Sequence, residues 1–318
     1  MNSESENETA PGPDFVVVGG PRCGTTALCT YLSKHPEIFV TNPKEPHFFG
    51  SDLRITTRVG DLAEYEQLFA AAKGRLRGEG SVFYLTSVAA ASEIYAMRPD
   101  ARIIIMLRDP VEAMHSLWWN NLFDGRHETL SDFEEALDAE AARSQGRRVP
   151  PGCTWPEAIL YRKTFMFAEQ VKRYYDIFGE EQVHTIVFDD FRSSTGKVFR
   201  ETLEFLRVDQ TDFVPELKRI NQSRQVRSRL LQDITTGKRL GLVRQLAAHS
   251  LSDPTKRRVG RWFKRRNSQV RRRPPLAPSL RRKLSGENRT DTELLESVLG
   301  RKVPWGTPAH SARGDGHT

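Results

Sequence analysis

Four apolar residues, Phe15 to Val18, run into Gly19-Gly20, then Pro21-Arg22-Cys23-Gly24, and Thr25-Thr26 open an amphipathic stretch. This succession, PDFVVVGGPRCGTTAL from Pro13 to Leu28, constrains the chain more than any other part of it. It predicts a buried strand, a tight turn and a helix, in that order. Backbone amides of such a turn close around an oxyanion, and the helix N-terminus adds partial positive charge. The chain therefore begins with an anion cradle.

The spacing Gly19-x4-Gly24 is that of a nucleoside triphosphate loop, but Thr25 stands where a lysine should follow the second glycine. Triphosphate chemistry needs that lysine on the β- and γ-phosphates and a hydroxyl on magnesium. Arg22 is the only cation in the turn, so the loop suits a different anion.

At 318 residues, with 38% hydrophobic and 28% charged residues, the chain has the composition of a soluble enzyme. No apolar run reaches the length of a membrane span, and the start, MNSESENETAPGP, is unlike a signal peptide. Three cysteines, Cys23, Cys29 and Cys153, lack metal-ligand spacing, and the expected location is cytoplasmic. The net charge of +7 is local: thirteen Lys and Arg and no acid lie between Pro254 and Lys283, leaving 35 basic against 41 acidic residues elsewhere. Any argument about a polyanionic partner belongs to that segment.

Taken in order, the pattern predicts a disordered leader over 1–12, a helix over 26–34, an extended run at 38–40 and a helix over 62–72. Gly78 to Leu85 reads as a strand entering a turn and 88–97 as a helix. A second buried strand, 102–107, is followed by a helix from Pro110 to about Leu122 with Asp109 as its N-cap. Ser131 to Arg143 reads as one helix opened by a capping box, Ile159 to Phe178 as one long helix, 182–188 as a strand and 195–206 as a helix. Strands alternating with helices predict an α/β fold, a P-loop-like three-layer arrangement with a mainly parallel central sheet, in a single domain over 13–305. It carries a helical, basic C-terminal part (about 240–283 the basic segment) and a disordered tail from 306.

Two further clusters carry chemistry. In LRDPVEAMHSLWW, Arg108 leaves the end of a buried strand and Ser116 lies two turns into the next helix. In a parallel sheet that strand end shares an edge with the first loop, so the pair can form a second phosphate grip. Lys44-Glu45-Pro46-His47 places a carboxylate and an imidazole two positions apart on a proline-stiffened loop: two possible general bases beside a cation.

GGPRCGTTAL, KEPHFF, the Arg108/Ser116 pair, FGEEQVHTIVFDDF and LLESVLGRKVPWG, in that order, resemble the PAPS-dependent sulfotransferases, on the side of the bacterial and carbohydrate-type enzymes. The resemblance implies binding of 3′-phosphoadenosine 5′-phosphosulfate (PAPS; product PAP) without a metal. It implies a 5′-phosphosulfate loop at Arg22, Cys23, Gly24, Thr25 and Thr26, a 3′-phosphate grip at Arg108 and Ser116, and a catalytic carboxylate at Glu45, with His47 beside it. A basic loop closing over the 3′-phosphate falls within Lys218 to Arg229, with Arg224 and Arg227 as its candidates. Many relatives have lysine in place of Arg22 and serine or lysine in place of Cys23. Arg22 can still meet a phosphate bidentately.

The expected acceptor is a hydroxyl on a carbohydrate, glycolipid or small natural product. Lys44, Tyr84, His115 and Trp119 are the candidate substrate contacts, since aromatic rings stack on sugars and aryl groups. The basic segment, with Val259, Trp262, Phe263 and Val270 among its cations, suits peripheral contact with an anionic membrane, an acidic glycan, or a solvated arm. A P-loop phosphotransferase would want the missing lysine. A nucleic-acid-binding protein would explain the basic arm but neither the paired grips nor Glu45.

Overall fold

A computed structural model of the chain describes residues 11–124, 127–213, 215–216, 224–226, 268–270 and 273–305. The expected leader, most of the basic segment and the expected tail lie outside these residues.

The two apolar runs form the centre of the molecule. β1 (Phe15–Gly19) and β4 (Arg102–Leu107) pair in parallel, Phe15 opposite Arg102 and Gly19 opposite Met106. Apart from Arg102, at the start of β4, every side chain of the pair is buried, as a strand covered on both faces requires. With β2 (Ile38–Val40), β3 (Leu76–Gly80) and β5 (Val183–Val187) they make a five-stranded, all-parallel sheet in the order β2-β3-β1-β4-β5.

Flanking it are α1 (Thr25–Leu32), α2 (Leu62–Gln67), α3 (Ala90–Met97) and α4 (Pro110–Asp124). Then come α5 (Phe133–Asp138), α6 (Glu140–Ser144), α7 (Tyr161–Thr164), α8 (Phe167–Phe178), α9 (Phe188–Ser193) and α10 (Thr195–Leu206). β6 (Arg224–Val226) pairs antiparallel with β7 (Ser268–Val270) alongside α4, and α11 (Pro278–Glu287) and α12 (Arg289–Leu299) follow.

Several sequence expectations are corrected. The strand entering a turn expected over 78–85 is present, the strand ending at Gly80 and Val82–Tyr84 coiling into a 3-10 turn, whereas two expected helices are broken. The helix expected over 131–143 is divided at Ala139, and Asp132 rather than Ser131 caps its start, the carboxylate accepting from the Glu135 amide at 2.8 Å. The helix expected over 159–178 breaks at Phe165-Met166. There Asp291 of α12 accepts hydrogen bonds from the Phe167 and Ala168 amides at 2.8 and 3.1 Å, capping α8 from a distant part of the chain. The expected Asp109 cap is present, accepting from the Glu112 amide at 3.0 Å.

Candidate active site

Five strands point their C-terminal ends the same way, and β1 lies where the connections turn from one side of the sheet to the other. Such a switch point opens a crevice. A cleft of about 240 Å³ lies there, and each strand delivers residues to it. Arg22 follows β1, Glu45 follows β2, Val82 and Phe83 follow β3, Arg108 follows β4 and Phe188 follows β5.

One side of the cleft is the anion cradle. Gly24 caps α1 with φ 99°, a conformation suited to glycine, and a Cβ there would meet the Phe188 ring at 2.8 Å. No side chain caps α1, so its N-terminus is left to the cleft, where Gly24, Thr25 and Thr26 form the lining. Arg22, at φ 68°, directs its Nε to Ser116 Oγ at 3.2 Å. Arg108 donates to the Arg22 carbonyl at 3.3 Å and lies over the Phe188 ring at 4.8 Å. The predicted cradle and second grip are thus one constellation.

A third arginine was not legible. Arg273 donates to the Glu112 carbonyl at 3.0 Å and pairs with the Glu112 carboxylate, which also meets Arg281 and stands 3.7 Å from Arg108. Burial lowers the pKa of Arg22, and the charges of Arg108 and Arg273 lower it further. Burial and Arg273 act on Arg108 in the same sense. Guanidinium groups crowded in a half-buried cleft lower each other's charge stability and gain from an added anion. The signal for Arg273 was faint, one arginine within a run of basic residues. Arg224 lies in β6 beside α4, but its side chain, like all of Arg227, is outside the described residues.

Opposite the cradle stands Glu45. Its amide is held by the Gly80 carbonyl at 3.1 Å, and both Glu45 and His47 have positive φ, at 66° and 51°. Such conformations cost about 1 kcal/mol and persist only where the surroundings enforce them. Here Ser81 Oγ accepts from the His47 amide at 3.3 Å and Tyr84 Oη accepts from the Phe49 amide at 3.1 Å. Ser81 and Tyr65 in turn donate to the fully buried Glu79 at 2.9 and 3.0 Å.

Lys44 bridges Glu45 and the cradle, donating to Glu45 Oε1 at 2.9 Å and to Thr25 Oγ1 at 3.3 Å. Gly80 makes room for it: a Cβ there would meet Lys44 Cε at 3.2 Å. Burial raises the Glu45 pKa, but His47 and Lys44 outweigh it and bring the carboxyl down to about 2. His47 Nε2 stands 3.8 Å from Glu45 Oε2, beyond a hydrogen bond, and neither ring nitrogen has a hydrogen-bond partner.

The other expected contacts do not reach the cleft. His47 is 1% exposed, packed among Phe83, Tyr84 and Trp155. The Cys23 thiol is buried against the Pro21 carbonyl and pushed up to about 12 by that burial, so only its backbone is available to an anion. Tyr84 is fully buried, its carbonyl accepting from Tyr174 at 2.9 Å. His115 stacks on Trp118 inside the core, its pKa lowered to about 3 by burial and by Arg273. Trp119 packs edge-on against Phe123. Their helical spacing marked the buried face of α4, and core packing claimed them.

Besides Phe188 on the anion side, the rings that line the cleft are Phe83 and Trp155, 5.6 Å apart and edge to face. Trp155 and Ala158 are held there by a buried network. Arg143 pairs bidentately with Glu128 at 2.7 and 2.8 Å, Tyr161 donates to Glu128 at 2.7 Å, and His127 bonds Thr154 at 3.0 Å. Nothing near Trp155 in the sequence pointed to the site.

A parallel α/β sheet whose switch point carries a lysine-free anion loop, paired arginines and a carboxylate is suited to binding an anionic group. The model for the Sulfotransferase domain matches residues 12–240, and the chain belongs to that family. A solved sulfotransferase from Alicyclobacillus acidocaldarius is similar over 92% of this chain and 97% of that one, at 30% identity and a TM-score of 0.69. The membrane-associated sulfotransferase kil1 of Dictyostelium discoideum is 35% identical over 101 residues, 31% of this chain and 21% of that protein. Carbohydrate sulfotransferase 15 of Mus musculus is 23% identical over 253 residues, covering 62% of this chain and 44% of its own length. The chain thus spans less than half the length of these curated relatives. Among the described residues no helix is long and apolar enough to cross a membrane.

Proposed function

We propose that the protein transfers the sulfonate group of 3′-phosphoadenosine 5′-phosphosulfate to an acceptor hydroxyl, with Glu45 as general base. The observation that carries this reading is the sharing of one cleft by Glu45, Arg22, Thr25, Thr26 and Arg108. Buried, mutually repelling arginines and an uncapped helix N-terminus fit a donor with phosphate at both ends. Arg22 and the α1 N-terminus would hold its 5′ end, and Arg108, Ser116 and Arg273 its 3′-phosphate. The donor supplies an electrophilic sulfur whose bridging oxygen leaves as phosphate.

Glu45 takes the proton from the acceptor hydroxyl as the new O–S bond forms. Arg22, Thr25, Thr26 and the loop amides stabilise the charge left on the departing oxygen. Glu45 is favoured over His47 because the carboxylate lines the cleft and the imidazole is shut behind it. A carboxyl held near 2 is ionised but weakly basic. Lys44 links that basicity to the donor side: drawn toward an anion beside Thr25, it leaves Glu45 a stronger base. Turnover of PAPS to PAP with Glu45→Gln as control tests the reading. Lost turnover with intact PAP binding supports it, and unchanged turnover rejects it.

A further inference from the structure

The side of the cleft facing the acceptor differs from the anion side. Its lining is Val82, Phe83, Leu117, Trp155 and Ala158, with Asn120 at the exposed edge. Three of these, Val82, Phe83 and Ala158, belong with Leu53 and Ile55 to an apolar cluster separate from the main core, against which Trp155 packs. Apart from Asn120 at the exposed edge, the polar groups of this wall are bound within the protein. The Trp155 indole donates to Thr57 Oγ1 at 3.1 Å and the Asn121 amide to the Ala158 carbonyl at 2.7 Å. What remains for a ligand is hydrocarbon and ring surface.

We infer that the acceptor is a neutral molecule whose reacting hydroxyl adjoins an apolar body, as in an alkyl or aryl glycoside. This rests on the sulfotransferase reading above. Arg22 and Arg108 are the only cations among the described lining residues, and Lys44 beside them is held by Glu45 and Thr25. An anionic acceptor would therefore bring its charge against hydrocarbon, with no cation of this wall among the described residues to pair it, and beside ionised Glu45. A sulfated polyanion such as heparan sulfate, the substrate named for some relatives, meets the same penalty repeatedly. A neutral amphiphile meets none of it and covers the exposed part of Trp155.

The test is binding of octyl glucoside and octyl glucuronide, each below its micelle concentration, to the full chain saturated with PAP. The expected result is that the glucoside binds ~10-fold or more tightly than the glucuronide, a single uncompensated charge being the difference. Trp155→Ala should weaken the glucoside ~10-fold while leaving PAP affinity unchanged. Asn120→Lys, at an exposed position of α4, should narrow the gap by favouring the glucuronide. A glucuronide that binds as well as the glucoside, or a glucoside that fails to bind the PAP-loaded protein, overturns the inference. Failure of PAP itself to bind is read separately and overturns the donor assignment instead.

Discussion

The two walls of the cleft are made differently. The heart of the anion wall is local, Arg22, Gly24, Thr25 and Thr26 being one turn and one helix start, to which Arg108, the first residue past the neighbouring strand, and Ser116 are added from further along the chain. The acceptor wall is assembled at long range, Phe83 meeting Trp155 across 72 positions of chain, fastened by the Glu128–Arg143–Tyr161 network. A wall centred on one motif holds its ligand by backbone geometry. A wall assembled from side chains of several separate segments can change its ligand by substitution without touching that motif.

The largest expected effect breaks the link between the walls. Glu45→Gln should lower turnover ~10²- to 10⁴-fold with the PAP dissociation constant unchanged, compared by steady-state kinetics and titration calorimetry. A loss of PAP binding in parallel would move Glu45 to the anion wall.

Arg143→Met attacks the acceptor wall alone. It strands the Glu128 carboxylate in the core and should cost about 3–5 kcal/mol in denaturant unfolding. Arg108→Ala attacks the anion wall alone. Losing a charge-assisted hydrogen bond should cost about 1.5–3 kcal/mol in PAP binding, and far less for adenosine 5′-phosphate, which lacks the 3′ group.

The pH dependence tests Lys44. Because the Glu45 carboxyl is depressed to about 2, it stays ionised through the weakly acidic range, and the rate should show no acid limb from it there. Stability from this depression is present above the ordinary carboxylate range and lost as pH falls through about 2. Lys44→Met removes one of the groups holding it down, so an acid limb should move up toward the ordinary carboxylate range, and a profile unchanged by the substitution would exclude the coupling. The smallest effect concerns neither wall: Asp291→Ala, removing the distant cap of α8, should cost about 1 kcal/mol in thermal unfolding.

The same division explains what could be read beforehand. The apolar runs of β1 and β4, the glycine turn and the Asp109 cap are determined by neighbours in sequence, and the α/β sheet followed from them. Arg22, Arg108 and Glu45 were legible because strand ends in a parallel sheet share an edge. His115 and Trp119 lie in the core, which the sequence could not show because a ring at helical spacing reads the same whether it faces a core or a cleft, and Tyr84, past the end of β3, is likewise buried. Phe83, Trp155 and Arg273 carried no local signal, since tertiary contacts alone bring them to the site. The break at 165 was hidden for the same reason, Asp291 being more than a hundred residues from the amides it caps.

The central claim is that this cleft holds a nucleotide with phosphate at both its 3′ and 5′ ends. Titrating the purified protein with PAP, in the absence of metal and beside ATP with magnesium as control, tests it most directly. The account predicts PAP binding that is stronger than that of magnesium–ATP and falls at least ~10-fold in Arg108→Ala. Preference for magnesium–ATP, or PAP binding indifferent to Arg108, would contradict it.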